Sequence, residues 1–193
     1  MFNDLTSLRS YLATRRSGRP REMVGPGPTE AEIEAMIGLA LRTPDHGKLA
    51  PWRFVIVGDD QRDALADLLL RALSDNDPGA TEAHRAKARD FAHNGAALVV
   101  MLSAPVANHK IPVFEQEMSA GAAAMNLLHA IHSFGYVGSW ITGWAAFDPT
   151  VRAAFAQAPD ERVVGFFFIG KPGRELEERP RPDPRAVIRH WQP

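Results

Sequence analysis

A chain of 193 residues, 45% apolar and with a formal net charge of -1, is long enough to bury a substantial core and is expected to form one domain over 1–193. The balanced charge excludes a basic nucleic-acid surface, and the apolar content excludes an acidic disordered chain. With no cysteine, disulfides, thiolate nucleophiles, iron–sulfur clusters and Cys-ligated zinc are excluded too.

In chain order, residues 4–14 place Leu5, Leu8, Tyr11 and Leu12 on one helical face. A basic turn, Arg15-Arg16-Ser17, and a Pro/Gly connector follow. Thr29 with Glu32 reads as a capping box opening a second helix, with Ile33, Met36, Ile37 and Leu41 as its buried stripe and Pro44 ending it. Residues 52–57 (WRFVIV) read as a strand, and 60–74 and 80–92 as helices around the turn DNDPG. Residues 96–102 (AALVVML) are apolar on both faces, as in a central strand. The helix over 115–134 is apolar nearly all round, so it needs cover on more than one side, either from a second copy of the chain or from its own domain wrapped around it. Its polar interruptions, Ser119, Asn126, His129, His132 and Ser133, argue against a membrane span, and the N-terminus has no apolar signal core. No membrane or nucleic-acid partner is expected, and the expected location is cytoplasmic. A strand over 136–142, a helix opened by Asp148-Pro149 and a strand over 163–169 complete an α+β layer architecture. The tail from Gly173 is rich in Pro and Arg and has no core of its own.

Two basic loops carry the chemistry. Arg15, Arg16 and Ser17 offer two guanidiniums and a hydroxyl suited to a phosphate, although cations after a helix also simply favour its dipole. In 42–54, RTPDHGKLAPWRF, Arg42 and His46 flank Pro44 and could converge on one ligand, or the segment is a structural loop. His109, Lys110, Glu115 and Glu117 match no metal-binding spacing, so no metal is expected. No nucleophile elbow and no G-x-G-x-x-G fingerprint is present. The glycines of 135–143, GYVGSWITG, would let backbone approach a flat ligand.

RRS at 15–17, RTPDHGKLAPWRFVIV at 42–57, NHKIPVFEQEMSAGAAAMNLLHA at 108–130, GYVGSWITG at 135–143 and VVGFFFIGKP at 163–172 occur in an order that resembles the FMN-dependent nitroreductase family, in its compact YdjA-type subgroup. The resemblance implies a mixed, mostly antiparallel sheet flanked by helices, in an intertwined homodimer with FMN at the interface. It implies that Arg15, Arg16 and Ser17 hold the FMN phosphate and ribityl chain and that Arg42 and His46 serve the other subunit's flavin. Trp140, Ile141 and Thr142 would lie along the ring, and Lys171 would be a further cation near the phosphate. The nicotinamide donor, NADPH or NADH, would use Ala130, Ile131, His132, Ser133, Phe134 and Gly135, and the tail over 173–193 would pack on the partner subunit. No protein side chain is expected to do the chemistry, which belongs to flavin N5. Flat small-molecule acceptors such as nitroaromatics are the expected substrates; a flavin-binding carrier or sensor without redox turnover is the other reading.

Overall fold

The computed structural model describes residues 1–192; Pro193, the end of the expected domain and tail, lies outside them. The chain comprises two compact units, Ser17–Arg174 and a smaller one joining Met1–Arg16 to the tail from Glu175.

The smaller unit contains α1 (Leu8–Thr14), whose N-cap Ser7 accepts from the Ser10 N–H. This cap starts the helix later than its apolar spacing suggests, so Leu5 precedes it. Of the residues on the expected face, Tyr11 is buried, whereas Leu5, Leu8 and Leu12 are 51%, 74% and 57% exposed. In the tail, Asp183 caps a short 3-10 turn, Pro184–Ala186, and Val187, Ile188 and Trp191 are exposed.

In the larger unit the elements run β1 (Met23–Val24), α2 (Glu30–Ala40), β2 (Trp52–Val57), α3 (Arg62–Asn76), α4 (Glu82–His93), β3 (Ala97–Ser103), α5 (Val113–Ser133), β4 (Val137–Ile141), α6 (Pro149–Phe155) and β5 (Arg162–Pro172). The local signals work as chemistry. Thr29 and Glu32 form a reciprocal capping box, and Asp148 accepts from the Thr150 and Val151 N–H groups with Pro149 at the first helical position. The sheet order is β1-β5-β3-β2, with β4 also on β5. Every pairing among the described residues is antiparallel, so the sheet is not mixed.

All seven residues of β3 are buried. Side chains alternate across a strand, so Val99, Met101, Phe167 and Ile169 join Ile33 and Met36 of α2 and Ala123, Leu127 and Ile131 of α5 in one core. On the other face Phe91 of α4 meets Phe166 and Phe168 edge-on, at 5.2 and 5.0 Å between ring centroids, and Phe155 of α6 meets Phe166 at 6.4 Å. The architecture is a helix–sheet–helix sandwich. α2 closes less surface than its spacing suggests: Ile33 and Met36 are buried, but Leu41 is 48% exposed because it is the C-cap.

Gly165 makes one close approach possible. A Cβ there would lie 2.3 Å from Trp140 Nε1; without it, the Trp140 indole lies along β5, donates to the Val164 carbonyl at 2.9 Å and stacks on Phe167. Gly165→Ala is therefore expected to cost about 1–3 kcal/mol in urea denaturation and to change Trp fluorescence. An unchanged denaturation midpoint would refute the packing assignment.

Candidate functional site

The basic loop after α2 is fastened to α5 at three points. The Ser119 hydroxyl donates to the Pro44 carbonyl at 2.6 Å. The Asn126 amide donates to Thr43 Oγ1 at 2.7 Å and to the Arg42 carbonyl at 3.4 Å. His46 Nδ1 lies 2.8 Å from Glu115 Oε2; an ionised carboxylate accepts only, so Nδ1 carries the proton in this bond. Within the loop, the Asp45 carboxylate takes the Leu49 and Ala50 N–H groups at 3.1 and 2.8 Å. Gly47 (φ 81°), Lys48 (φ 57°) and Ala50 (φ 48°) are all left-handed. Two non-glycine residues there cost of order 1–2 kcal/mol each, so the loop holds its shape through Asp45 and α5. Arg42 and His46 are exposed.

A second group gathers where β4 starts. The Gly18 N–H donates to the Gly138 carbonyl at 3.2 Å, which sets Ser17 beside β4. Lys171, leaving β5, donates to the Gly135 carbonyl at 2.8 Å and sits 3.8 Å from the Tyr136 ring centroid. The Tyr136 hydroxyl donates to Glu32 Oε2 at 3.3 Å. Desolvation, then the Glu32 charge, push this phenol above its ordinary value, while the Thr29 backbone and hydroxyl bonds hold the Glu32 carboxyl below its own. Of the ring-lining segment, Trp140 and Ile141 are half-buried and Thr142 is exposed; the Trp140 indole is committed to β5. Gly143 (φ 58°) has nothing near its Cβ position, so the backbone at 142–143 is open to a flat ligand.

In the nicotinamide segment, Ala130, Ile131 and His132 at the end of α5 are buried. Their side chains belong to the interior; Ser133 and Gly135 are exposed and Phe134 is half-buried.

Arg15 and Arg16 lie in the smaller unit. Asn3 fixes the Arg16 backbone from both sides: its Oδ1 accepts the Arg16 N–H at 2.8 Å, and its Nδ2 donates to the Arg16 carbonyl at 3.1 Å. Burial, then the neighbouring Arg181 charge, lower the Arg16 guanidinium from its ordinary value.

The larger unit thus holds two groups, separated along α5. His46 pairs with Glu115, and Lys171 with Gly135 just past Ser133. Eighteen residues of helix between Glu115 and Ser133 span about 27 Å. Sequence reasoning missed the fasteners Glu115, Ser119 and Asn126; the seven-residue step from Ser119 to Asn126, two turns along one face, was the available signal.

The sequence profile described as "Nitroreductase family" matches residues 12–171. The protein named "Putative NAD(P)H nitroreductase YdjA" of Escherichia coli (strain K12) is 28% identical over 183 residues, spanning 93% of this chain and 97% of its own length. Among solved structures, a nitroreductase-like family protein from Bacillus cereus superposes with a TM-score of 0.79 at 19% identity, over 99% of both chains. The FMN and NADPH-dependent nitroreductase NfnB of Sphigopyxis sp. strain HMH superposes with a TM-score of 0.72 at 18% identity, over 96% of this chain and 99% of that one. These structures share the fold.

Two measurements check the geometry. Asn126→Ala removes the bond to buried Thr43 and is expected to cost about 1 kcal/mol and to speed amide exchange selectively across 43–50; uniform exchange rates would disprove the fastening. Both tyrosines are pushed up, Tyr11 to about 12 by burial and Tyr136 by the causes above. At pH 10 the folded protein should therefore show less phenolate absorbance than the urea-unfolded chain, and equal absorbance would contradict this.

Proposed function

Because this chain belongs to the Nitroreductase family, a family of oxidoreductases, we propose that it is an FMN-dependent NAD(P)H oxidoreductase acting on flat acceptors such as nitroaromatics and quinones. The observation that carries this is the family match over 12–171, which takes in every expected flavin contact from Arg15 to Lys171.

The residues fit such a cofactor. Arg15 and Arg16 suit its phosphate, with Ser17 beside them in sequence. The open backbone at Thr142 and Gly143 suits one face of a planar ring. When bound, FMN would supply a ring that takes a hydride from a nicotinamide and passes it on, so no protein nucleophile or metal is called for. The chain's own residues bind and orient. Arg42 is assigned to the ring's pyrimidine side, where a cation favours the negative charge of the reduced form; Thr142 backbone is assigned to the ring edge. Ser133, Phe134 and Gly135 are assigned to the nicotinamide donor, NADPH or NADH, with Ala130, Ile131 and His132 shaping that helix end from inside.

The assembly proposed is a homodimer that shares its sites. A second copy would bring Arg42 and His46 to the flavin of the first. Exposed Phe114 and Met118 on α5 (68% and 56%) and Leu39 and Leu41 near the end of α2 (45% and 48%) give that copy an apolar face to cover. Val187, Ile188 and Trp191 of the tail are assigned to packing on the partner. The cytoplasm is the proposed location.

Purified protein incubated with FMN should turn yellow, sediment as a dimer and oxidise NADPH or NADH only when a nitroaromatic or quinone is present. Flavin binding without turnover would favour a carrier or sensor; absence of flavin binding would refute the proposal. Arg42→Ala should weaken FMN binding and lower its midpoint potential, and a variant unchanged in both would remove the role assigned to Arg42.

A further inference from the structure

The His46 ring is held by α5 rather than by its own loop. Its Nδ1 lies 2.8 Å from Glu115 Oε2. Glu115 stands in the first turn of α5, where a carboxylate faces the positive end of the helix dipole. The backbone that carries the ring is braced on both sides. Ser119 holds the Pro44 carbonyl at 2.6 Å, and Asp45 gathers the Leu49 and Ala50 N–H groups. Gly47 presses against the turn before α5: a Cβ there would lie 2.4 Å from Ile111 Cδ1.

The pair is open to water, with the His46 side chain 68% and the Glu115 side chain 45% exposed. An open pair of this kind adds little to stability. Its consequence is chemical. The bond made by one ring nitrogen decides where the proton of a neutral imidazole sits. An ionised carboxylate accepts from Nδ1–H, so Nε2 keeps its lone pair and is an acceptor. An unpaired neutral histidine in water favours the opposite tautomer, with the proton on Nε2. Glu115 therefore reverses the default of this ring. Arg42, four residues earlier in the same loop, has donors only. A ligand edge that alternates acceptors and a donor needs both kinds of partner, and the pair Arg42 and His46 supplies both.

We propose that Glu115 is a positioning residue for His46: it fixes the tautomer in which Nε2 accepts, and so fits the loop to a ligand that offers an N–H or O–H donor. That this ligand is a flavin rests on the function proposed above. A flavin carries two such sources, the imide N–H between the two carbonyls of its pyrimidine ring and the hydroxyls of its ribityl chain. The assignment of Arg42 to the pyrimidine side favours the imide.

The test has two readouts on the full chain. Imidazole nitrogen NMR shifts, recorded before flavin is added and at about pH 8, where imidazole is ordinarily neutral, report the tautomer. His46 should carry its proton on Nδ1 in the wild type and on Nε2 in Glu115→Ala. FMN dissociation constants are then measured by flavin fluorescence for the wild type, Glu115→Ala, His46→Ala and the double variant. Glu115→Ala should weaken FMN binding about fivefold. The double variant should bind no more weakly than His46→Ala alone, because Glu115 acts through His46; a purely structural contribution of Glu115 would add to the loss. FMN methylated at the imide nitrogen should bind the wild type more weakly and be indifferent to Glu115→Ala. If both flavins lose equally in Glu115→Ala, the acceptor role of Nε2 stands and the donor is a ribityl hydroxyl. A wild-type ring protonated on Nε2, an unchanged FMN constant in Glu115→Ala, or losses that add in the double variant would overturn the proposal and leave the flavin reading standing. If the wild type binds no FMN, it is the flavin reading that fails, and the NMR tautomer alone decides whether Glu115 orients His46.

Discussion

The burial of β3 on both faces governs the rest. A strand with seven consecutive buried residues needs a helical layer on each side. The alternation of β5, Phe166 and Phe168 one way and Phe167 and Ile169 the other, supplies the matching aromatic surface. α2 and α5 cover one face; α3, α4 and α6 cover the other. Once α5 is fixed against the sheet, everything attached to it is fixed as well: the Arg42–His46 loop along its first half and middle, the turn into β4 at its end.

α5 therefore acts as a ruler. Its small residues, Ala120, Ala123 and Ala124, are buried and let it sit close to the sheet, while Glu115, Ser119 and Asn126 meet the loop at set heights. Ser119 and Asn126 hold a loop whose backbone would otherwise relax out of the left-handed region. The strain gathers beside the exposed Arg42 and His46, the side chains with the most chemistry to offer. A rigid helix carrying a strained loop positions charged groups better than a flexible loop would.

Much of this was legible in the sequence. The Thr29–Glu32 box and the Asp148-Pro149 start are local hydrogen-bond chemistry, and local chemistry reads directly from spacing. The central strand announced itself by lacking alternation. Three things were not legible. The exposure of Leu5, Leu8 and Leu12 was not legible, because helical periodicity reports that a surface is apolar, not what covers it. His132 could not be assigned to inside or outside, because α5 is apolar nearly all round and has no polar face to orient it. The hydrogen bond from Arg16 Nε to the Glu177 carbonyl joins the turn after α1 to the tail across 161 residues, and no pattern of spacing reaches that far.

β2 ends the sheet, with β3 along one side. A bare flank of backbone donors and acceptors is a template on which further chains can add without limit. Arg53 stands near the start of this strand, exposed, and its guanidinium is tied to buried Glu161 on the approach to β5. The carboxylate is itself anchored by the Gln157 N–H at 2.8 Å. The pair therefore clips the outermost strand to the approach to β5, so the rim is held by a cross-link as well as by its ladder to β3.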